Sequence, residues 1–428
     1  MDVLEFFSFS DANVRFVSIG AMLITASSAI VGTFTFLDKR SLIGDTIAHS
    51  VLPGICLSFL LVGRKDPVAL VAGAFVTGWI SVYLVELITR KSRIKEDTAI
   101  GLILSVFFGL GILLLTVIQK TGDAAQSGLD SYIFGSAASL VGEDLVVFGI
   151  VAALVLLLTA VHFKGLTLLA FDRPFAEAIG FPVKRLRFIL TVLVVLAVVI
   201  GIQTVGVVLM AAMLITPAAA ARFWTDRLIR MVFLAAVFGA ISGLSGAYLS
   251  WLVPSSPTGP WIVLVISALA LLSFFLSPRR GILARWIRQR RHRRTIQEEN
   301  LLKALYQLSE VDESFSTPRS EAELESRRHM ESAVRRQALN RLTRDGYLIR
   351  SAGSWALTAE GKHRGKRIVR IHRLWELYLT TKMNIAPDHV HDDAETMEHL
   401  ITPELEAELE RQLDYPKQDP HESKIPGA

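Results

Sequence analysis

Asp45 and His49 stand four residues apart in the run Gly44-Asp45-Thr46-Ile47-Ala48-His49-Ser50-Val51-Leu52-Pro53-Gly54, within a stretch otherwise apolar enough to cross a bilayer. The i, i+4 interval puts both side chains on one helix face. Ionisable groups held in hydrocarbon are costly and usually serve a purpose there. A carboxylate beside an imidazole suits a divalent cation, and such donors fit manganese, iron or zinc better than copper(I), with other helices completing the set. A second concentration lies toward the other end, in His372-Arg373-Leu374-Trp375-Glu376 and Val390-His391-Asp392-Asp393-Ala394-Glu395-Thr396-Met397-Glu398-His399. His372 with Glu376, His391 with Glu395, and Glu395 with His399 each share a helix face, and Glu398 flanks them. These six nitrogen and carboxylate ligands are expected to converge on one small bundle. Without a thiolate they favour manganese or iron(II), with zinc tolerated. The plain alternatives are a helix cap for Asp45, one interhelical hydrogen bond for His49, and solvated surface charge for the second group.

The elements that must position these residues belong to two solvents. Of 428 residues, 51% are hydrophobic, and the mean hydropathy of +0.44 is too high for an ordinary soluble protein. The apolar residues concentrate before Pro278 in about nine runs of spanning length, Asn13–Phe36, Thr46–Leu61, Val68–Thr89, Thr98–Ile118, Glu143–Val161, Leu186–Ile202, Val205–Ala221, Arg230–Leu252 and Trp261–Leu276. Lys39/Arg40, Arg90/Lys91/Arg93/Lys95, Lys164 with Lys184/Arg185, Arg222/Arg227 and the run after Pro278 fall on alternate ends. Positive charge marks the cytoplasmic end, so the N-terminus is expected outside and everything after Pro278 inside. Pro53 and Pro217 interrupt the short second and seventh runs, breaks that are tolerated where backbone lines a cavity or packs on protein. Asp2 and Glu5 before the first run argue against a cleaved signal peptide. The single cysteine, Cys56, excludes a disulfide within the chain and a cysteine-rich zinc site.

After Pro278 the character changes. Arg279–Arg294 holds eight arginines and no acid, which suits an anionic inner-leaflet surface, with nucleic acid as the rival partner. From Glu298 the pattern reads as an amphipathic helix (Leu301, Leu302, Leu305, Leu308), a polar connector, and further helices to Arg344. A hairpin follows, with strands Tyr347–Arg350 and Ser354–Thr358 about Ala352-Gly353. This is a winged helix-turn-helix outline. Arg327–Arg373 carries thirteen Lys/Arg against three acids, and Glu376–Ala428 four against thirteen, a dipole that the net charge of +5 conceals. Ser332–Thr343 is the expected recognition helix, with Arg335, Arg336, Gln337 and Arg341 facing DNA and Lys362, Arg364, Lys366 and Arg367 near the wing. Glu331 sits unfavourably at its DNA-facing start, and a solvated basic face is the plain alternative.

Gly44–Gly54, Ser92–Gly101, Phe171–Gly180, Gln203–Gly206 and Leu214–Ala218 together resemble the permease subunits of ABC importers for manganese, zinc and iron, over roughly Phe6–Ser277. The resemblance implies that Asp45 and His49 lie on the metal path. It implies too that the Phe171–Gly180 loop, with Phe171, Asp172, Glu177 and Gly180, docks into a separate ATPase subunit. An extracytoplasmic metal-binding protein and a second permease copy or paralogue are the further partners implied. No Gly-x-x-x-x-Gly-Lys-Ser/Thr occurs, so this chain is expected to bind no nucleotide by that device and to be a transport subunit rather than an enzyme.

The stretch from about Glu298 to Pro426 resembles the diphtheria-toxin-repressor family of iron- and manganese-dependent regulators, above all in His372–Glu376, His391–His399 and Pro416–Pro426. Carried over residue by residue, His372, Glu395, Glu398 and His399 correspond to core metal ligands, with Glu376 and His391 in a neighbouring site. The first helix departs from the pattern, with Asn300 and Lys303 where manganese-type members carry Asp and Glu. The implied effect is metal binding with weakened coupling to the DNA-binding helices.

The expected fold is an all-α polytopic membrane protein with a cytoplasmic winged helix-turn-helix and a helical metal-binding and dimerisation domain. Its expected divisions are a permease over 1–278, a basic linker over 279–297, the winged helix-turn-helix over 298–370 and the metal-binding part over 371–428. The expected location is the bacterial inner membrane. A tethered or released transcription factor, with DNA as partner, and a degenerate C-terminal domain that serves only dimerisation or gating remain as alternatives.

Overall fold

The computed structural model describes residues 6–40, 42–120, 135, 142–253, 256–387, 390, 394, 395, 397–399 and 401–427. The chain divides into two compact units, Met1–Arg285 and Trp286–Ala428.

Among the described residues of the first unit, nine helical spans are long and apolar enough to cross a bilayer. They are α1 (Ala12–Leu37), the pair α2 (Leu42–Ser50) and α3 (Leu52–Val62), α4 (Pro67–Lys91), α5 (Glu96–Lys120), α6 (Gly142–Phe171), α8 (Val183–Val205), α9 (Val207–Trp224), α10 (Leu228–Leu252) and α11 (Thr258–Leu276), with the short α7 (Arg173–Ala178) between α6 and α8. Their ends follow local chemistry. Asp66 caps α4 by accepting from the Val68 and Ala69 amides, Pro67 fills a first-turn position that needs no donor, and Arg90 and Lys91 close the last turn. Glu96 and Asp97 sit in the first turn of α5, where the helix dipole favours negative charge.

Within a bilayer, helices associate through close packing of small residues. A Cβ on Gly32 of α1 would lie 1.7 Å from the Leu214 carbonyl oxygen of α9, and one on Gly54 of α3 would lie 2.1 Å from the Gly73 carbonyl oxygen of α4. Backbones meet at both places, and only glycine leaves the room. The Thr25 hydroxyl lies 2.8 Å from the Gly239 carbonyl oxygen, joining α1 to α10.

The two prolines act differently. Pro53 falls at the start of α3, just after the α2/α3 break at Val51, whereas Pro217 lies buried inside α9 without dividing it. The expected end of the fifth span at Val161 is also short, because α6 continues to Phe171. Hydropathy falls at His162 and Lys164, but nothing there breaks a helix.

The second unit is built on α12 (Ile282–Val311), α13 (Glu321–Arg327), α14 (Ser332–Arg344), the antiparallel strands β1 (Leu348–Ser351) and β2 (Ser354–Leu357), α15 (Ala359–Lys382) and α16 (Pro403–Gln412). From Ile282 on, the basic stretch expected as a linker is helical within α12. Ala352 and Gly353 both have positive φ, 47° and 84°, the conformation that two-residue hairpins need. Thr358, expected in the second strand, instead caps α15 by accepting from the Gly361 amide. Leu301, Leu302 and Leu305 of α12 pack with Leu324, Leu339, Leu342, Trp355 and Val369 in one core.

Candidate metal path and C-terminal charge cluster

Asp45 and His49 lie on α2, which packs among α4, α5, α8 and α9. The expected shared face is formed, with His49 Nε2 3.5 Å from Asp45 Oδ1. The His49 ring meets Phe108 edge to face at 4.8 Å, and its Nδ1 is buried with no hydrogen-bond partner among the described residues. Pro53 has no amide proton, so the helical donor that would reach the carbonyl of His49 is missing. Two hydroxyls that sequence reasoning passed over share this condition, since Ser50 Oγ and Thr204 Oγ1 are buried without a partner. Serine and threonine are common enough in packed helices that spacing alone gave no signal. A carboxylate, an imidazole with an unspent nitrogen, and a weakened helix turn make a place that can exchange bonds with a small cation.

The loop expected to dock a partner is a compact device. Asp172 accepts from the Phe175 amide at 3.0 Å to start α7, Pro174 follows in its first turn, and Arg173 holds Glu177 at 3.1 Å. Gly180 ends it at φ +81°. Phe171, Phe175, Ile179 and Phe181 stand exposed around it.

In the C-terminal unit the five carried-over residues that are described meet protein partners. His391 lies outside the described residues. His372 Nε2 is 3.0 Å from Glu376 Oε1, and its Nδ1 is 2.6 Å from Glu398 Oε2. The Lys303 ammonium lies 2.8 Å from Glu398 Oε2 and 2.9 Å from His372 Nδ1, so it sits among these groups rather than merely near them. Glu395 takes both guanidinium nitrogens of Arg328, at 2.8 and 3.2 Å. His399 Nδ1 is 2.7 Å from Glu299 Oε2, and Arg364 reaches the other oxygen of Glu299 at 3.0 Å. Burial pushes the Lys303 ammonium below the ordinary lysine range, and Glu398 offsets part of that. Burial alone would depress His372 too, but Glu376 and Glu398 outweigh it and hold the imidazole above its usual value.

The described residues of this set do come together, with His399 Nε2 3.6 Å from Glu398 Oε1, but cations of the chain lie among them. Among the described residues no group of three or more His, Cys, Asp or Glu side chains is placed to hold a metal ion. Two polar oxygens, Asn300 Oδ1 and Glu398 Oε1, are buried without a hydrogen bond, yet the strongest acceptors of the set are taken by cations of the chain itself. Among the described residues, a resident metal on Glu398 Oε2, His372 Nδ1 or Glu395 therefore does not fit as these side chains stand.

The recognition helix needs a second correction. Arg335 is 3% exposed and bonds the Met330 carbonyl at 2.8 Å and Glu325 at 3.1 Å, so it is a core residue rather than one facing DNA. Arg336 pairs with Glu321, and Arg341 reaches Glu298 at 3.4 Å and Gln337 at 3.2 Å. Arg364 and Arg367 are likewise bonded to Glu299 and Glu406. Asn340 and Arg344, which sequence reasoning did not single out, are exposed on α14 with Arg336 and Gln337.

Residues 10–277 match the model of the ABC 3 transport family, and residues 358–427 match that of the iron dependent repressor, metal binding and dimerisation domain. The manganese transport system membrane protein MntC of Bacillus subtilis is 43% identical, over 87% of this chain and 86% of that one. The zinc transport system membrane protein TroC of Treponema pallidum is 42% identical, over 66% of this chain and 95% of that one. Among solved structures, PsaBC from Streptococcus pneumoniae in complex with Fab is similar at a TM-score of 0.60 and 34% identity, over 68% of this chain and all of that one.

Proposed function

Because the chain belongs to the ABC 3 transport family, we propose that it is the membrane-spanning subunit of an ATP-driven importer for a divalent transition metal, manganese foremost. The observation that carries this reading is the Asp45–His49 pair on a helix enclosed by four others, with one imidazole nitrogen unspent. The oxygen and nitrogen donors suit manganese and zinc alike, and manganese is put first because the relative named for manganese aligns over more of the chain. The ion enters from an extracytoplasmic binding protein, passes Asp45 and His49 between two permeases, and leaves on the side marked by Arg40, Arg90 and Lys184. Energy comes from a separate ATPase seated on Phe175, Ile179 and Phe181 around α7, since the chain has no phosphate-cradling loop of its own.

The test is radioactive manganese uptake in cells without their own manganese importer, with the cognate ATPase and binding protein present. Asp45→Ala and His49→Ala are each expected to lower uptake about a hundredfold or more at unchanged membrane levels, the effect of losing a group that an ion must meet in a low-dielectric path. Near-normal uptake by both removes them from the path.

For the C-terminal unit a second reading has a specific observation in its favour. Arg335 is buried on intramolecular partners and Arg341 is bonded to Glu298, which leaves Arg336 as the one exposed arginine of the three and favours assembly of the permease over operator binding. Selection from a random duplex library by the full-length protein should enrich no sequence, and one enriched sequence restores the repressor reading.

A further inference from the structure

We propose that Lys303 is a built-in cation that replaces the regulatory metal, so that the C-terminal unit holds its helices together permanently and does not report metal supply. Four elements meet at the ammonium's surroundings. Lys303 comes from α12, His372 and Glu376 from α15, Glu395 and Glu398 from the segment before α16, and Arg328 follows α13. The Lys303 side chain is 4% exposed and that of Glu398 is fully buried, so the contact of 2.8 Å is made out of water. A bond to a buried charge is strong only when geometry and neighbours satisfy both partners, and here His372 and Glu376 extend the network.

Space and charge both oppose a second cation at the position that Lys303 occupies. A divalent transition metal bonds nitrogen and oxygen at roughly 2.0–2.2 Å. An ion on both Glu398 Oε2 and His372 Nδ1 would thus fall where the ammonium already lies 2.8 and 2.9 Å from those atoms. Binding would require Lys303 to withdraw a charge through the core. Among the described residues the surrounding carboxylates are Glu299, Glu376, Glu395 and Glu398, and the fixed cations bonded to them are Lys303, Arg328 and Arg364. Four negative charges against three positive leave one. A dication added to that set would leave an excess of positive charge beside the buried Lys303, His372 and Glu398.

This concerns the second unit alone and stands whether or not Asp45 and His49 carry cargo. The experiment uses the full-length protein in nanodiscs, stripped with chelator, and follows hydrogen exchange of peptides from residues 359–382 with and without added manganese. In the wild type, protection is high without metal and changes less than about twofold on adding it. Lys303→Met, which leaves the buried carboxylates without their cation, is expected to exchange about a hundredfold faster. Lys303→Glu is expected to be equally loose without metal and to regain at least about tenfold protection with manganese, because a carboxylate then joins His372, Glu395 and Glu398. That recovery also separates a lost cation from a failure to fold. A wild-type protein whose protection rises tenfold with manganese, or a Lys303→Met protein as protected as the wild type, overturns the proposal.

Discussion

Two acid–histidine pairs at the same i, i+4 spacing end in opposite conditions. In the membrane, His49 touches Asp45 only at 3.5 Å and keeps Nδ1 without a partner. In the C-terminal unit, His372 spends both nitrogens, at 3.0 Å on Glu376 and 2.6 Å on Glu398, with Lys303 against the same atoms. A group that must take and release a passing ion is useful only if its valences are left open. One that holds helices together is stable only if they are filled, because an unpaired buried charge costs several kcal/mol. Spacing places side chains on a face, but the partners that decide the chemistry come from elsewhere in the chain.

The largest expected effect breaks or keeps this division between the two regions. A chain ended after Pro278 retains Asp45, His49 and the whole of α7, and should import manganese within about threefold of the full-length protein. His49→Ala in the full-length protein should import almost none. Loss of uptake by the truncated chain, at normal membrane level, would make the C-terminal unit part of the pump and end the division.

Next in size is His372→Ala, which should leave uptake near normal and destabilise the C-terminal unit. Its side chain is 4% exposed, and removing one member of a buried charge network costs about 3–5 kcal/mol. Denaturant unfolding followed on the C-terminal unit by hydrogen exchange reads this directly. A loss under about 1 kcal/mol would mean that the cluster is solvated and that its saturation has no structural role.

Much of this was legible in the sequence, and the failures have physical causes. All nine spans could be found because burial in lipid demands about twenty apolar residues, a signal no soluble helix mimics. Their ends were less legible, since α6 runs ten residues past Val161 once hydropathy no longer marks it. The hairpin was found to within a residue from Ala352-Gly353, because few residues tolerate positive φ in succession. Lys303 was noticed as a departure, but its position among His372, Glu395 and Glu398 was not foreseeable, since it depends on how α12 docks on α15. Arg335 was misplaced for a related reason. On a helix this basic, the buried arginine is distinguished only by having Glu321 and Glu325 of α13 beneath it.

The smallest expected effect calibrates the others, because it involves a charge in the C-terminal unit that serves local structure only. At the start of α13 the Ser320 hydroxyl accepts from the Glu323 amide, while Glu323 accepts from the Ser320 amide at 2.8 Å and its hydroxyl at 2.7 Å. The bonds from Ser320, backbone first and then side chain, hold the Glu323 carboxyl below its ordinary value of 4.5. A carboxyl depressed on folding contributes stability that is complete above the unfolded value and is lost as pH falls through the folded one. The C-terminal unit should therefore show a small acid-side loss confined to pH below 4.5. Ser320→Ala should cost about 1 kcal/mol at neutral pH and flatten that acid step, because cap and shift share the same bonds. An acid step that persists undiminished in Ser320→Ala would have to come from another carboxylate, and would direct attention back to the buried cluster around Lys303.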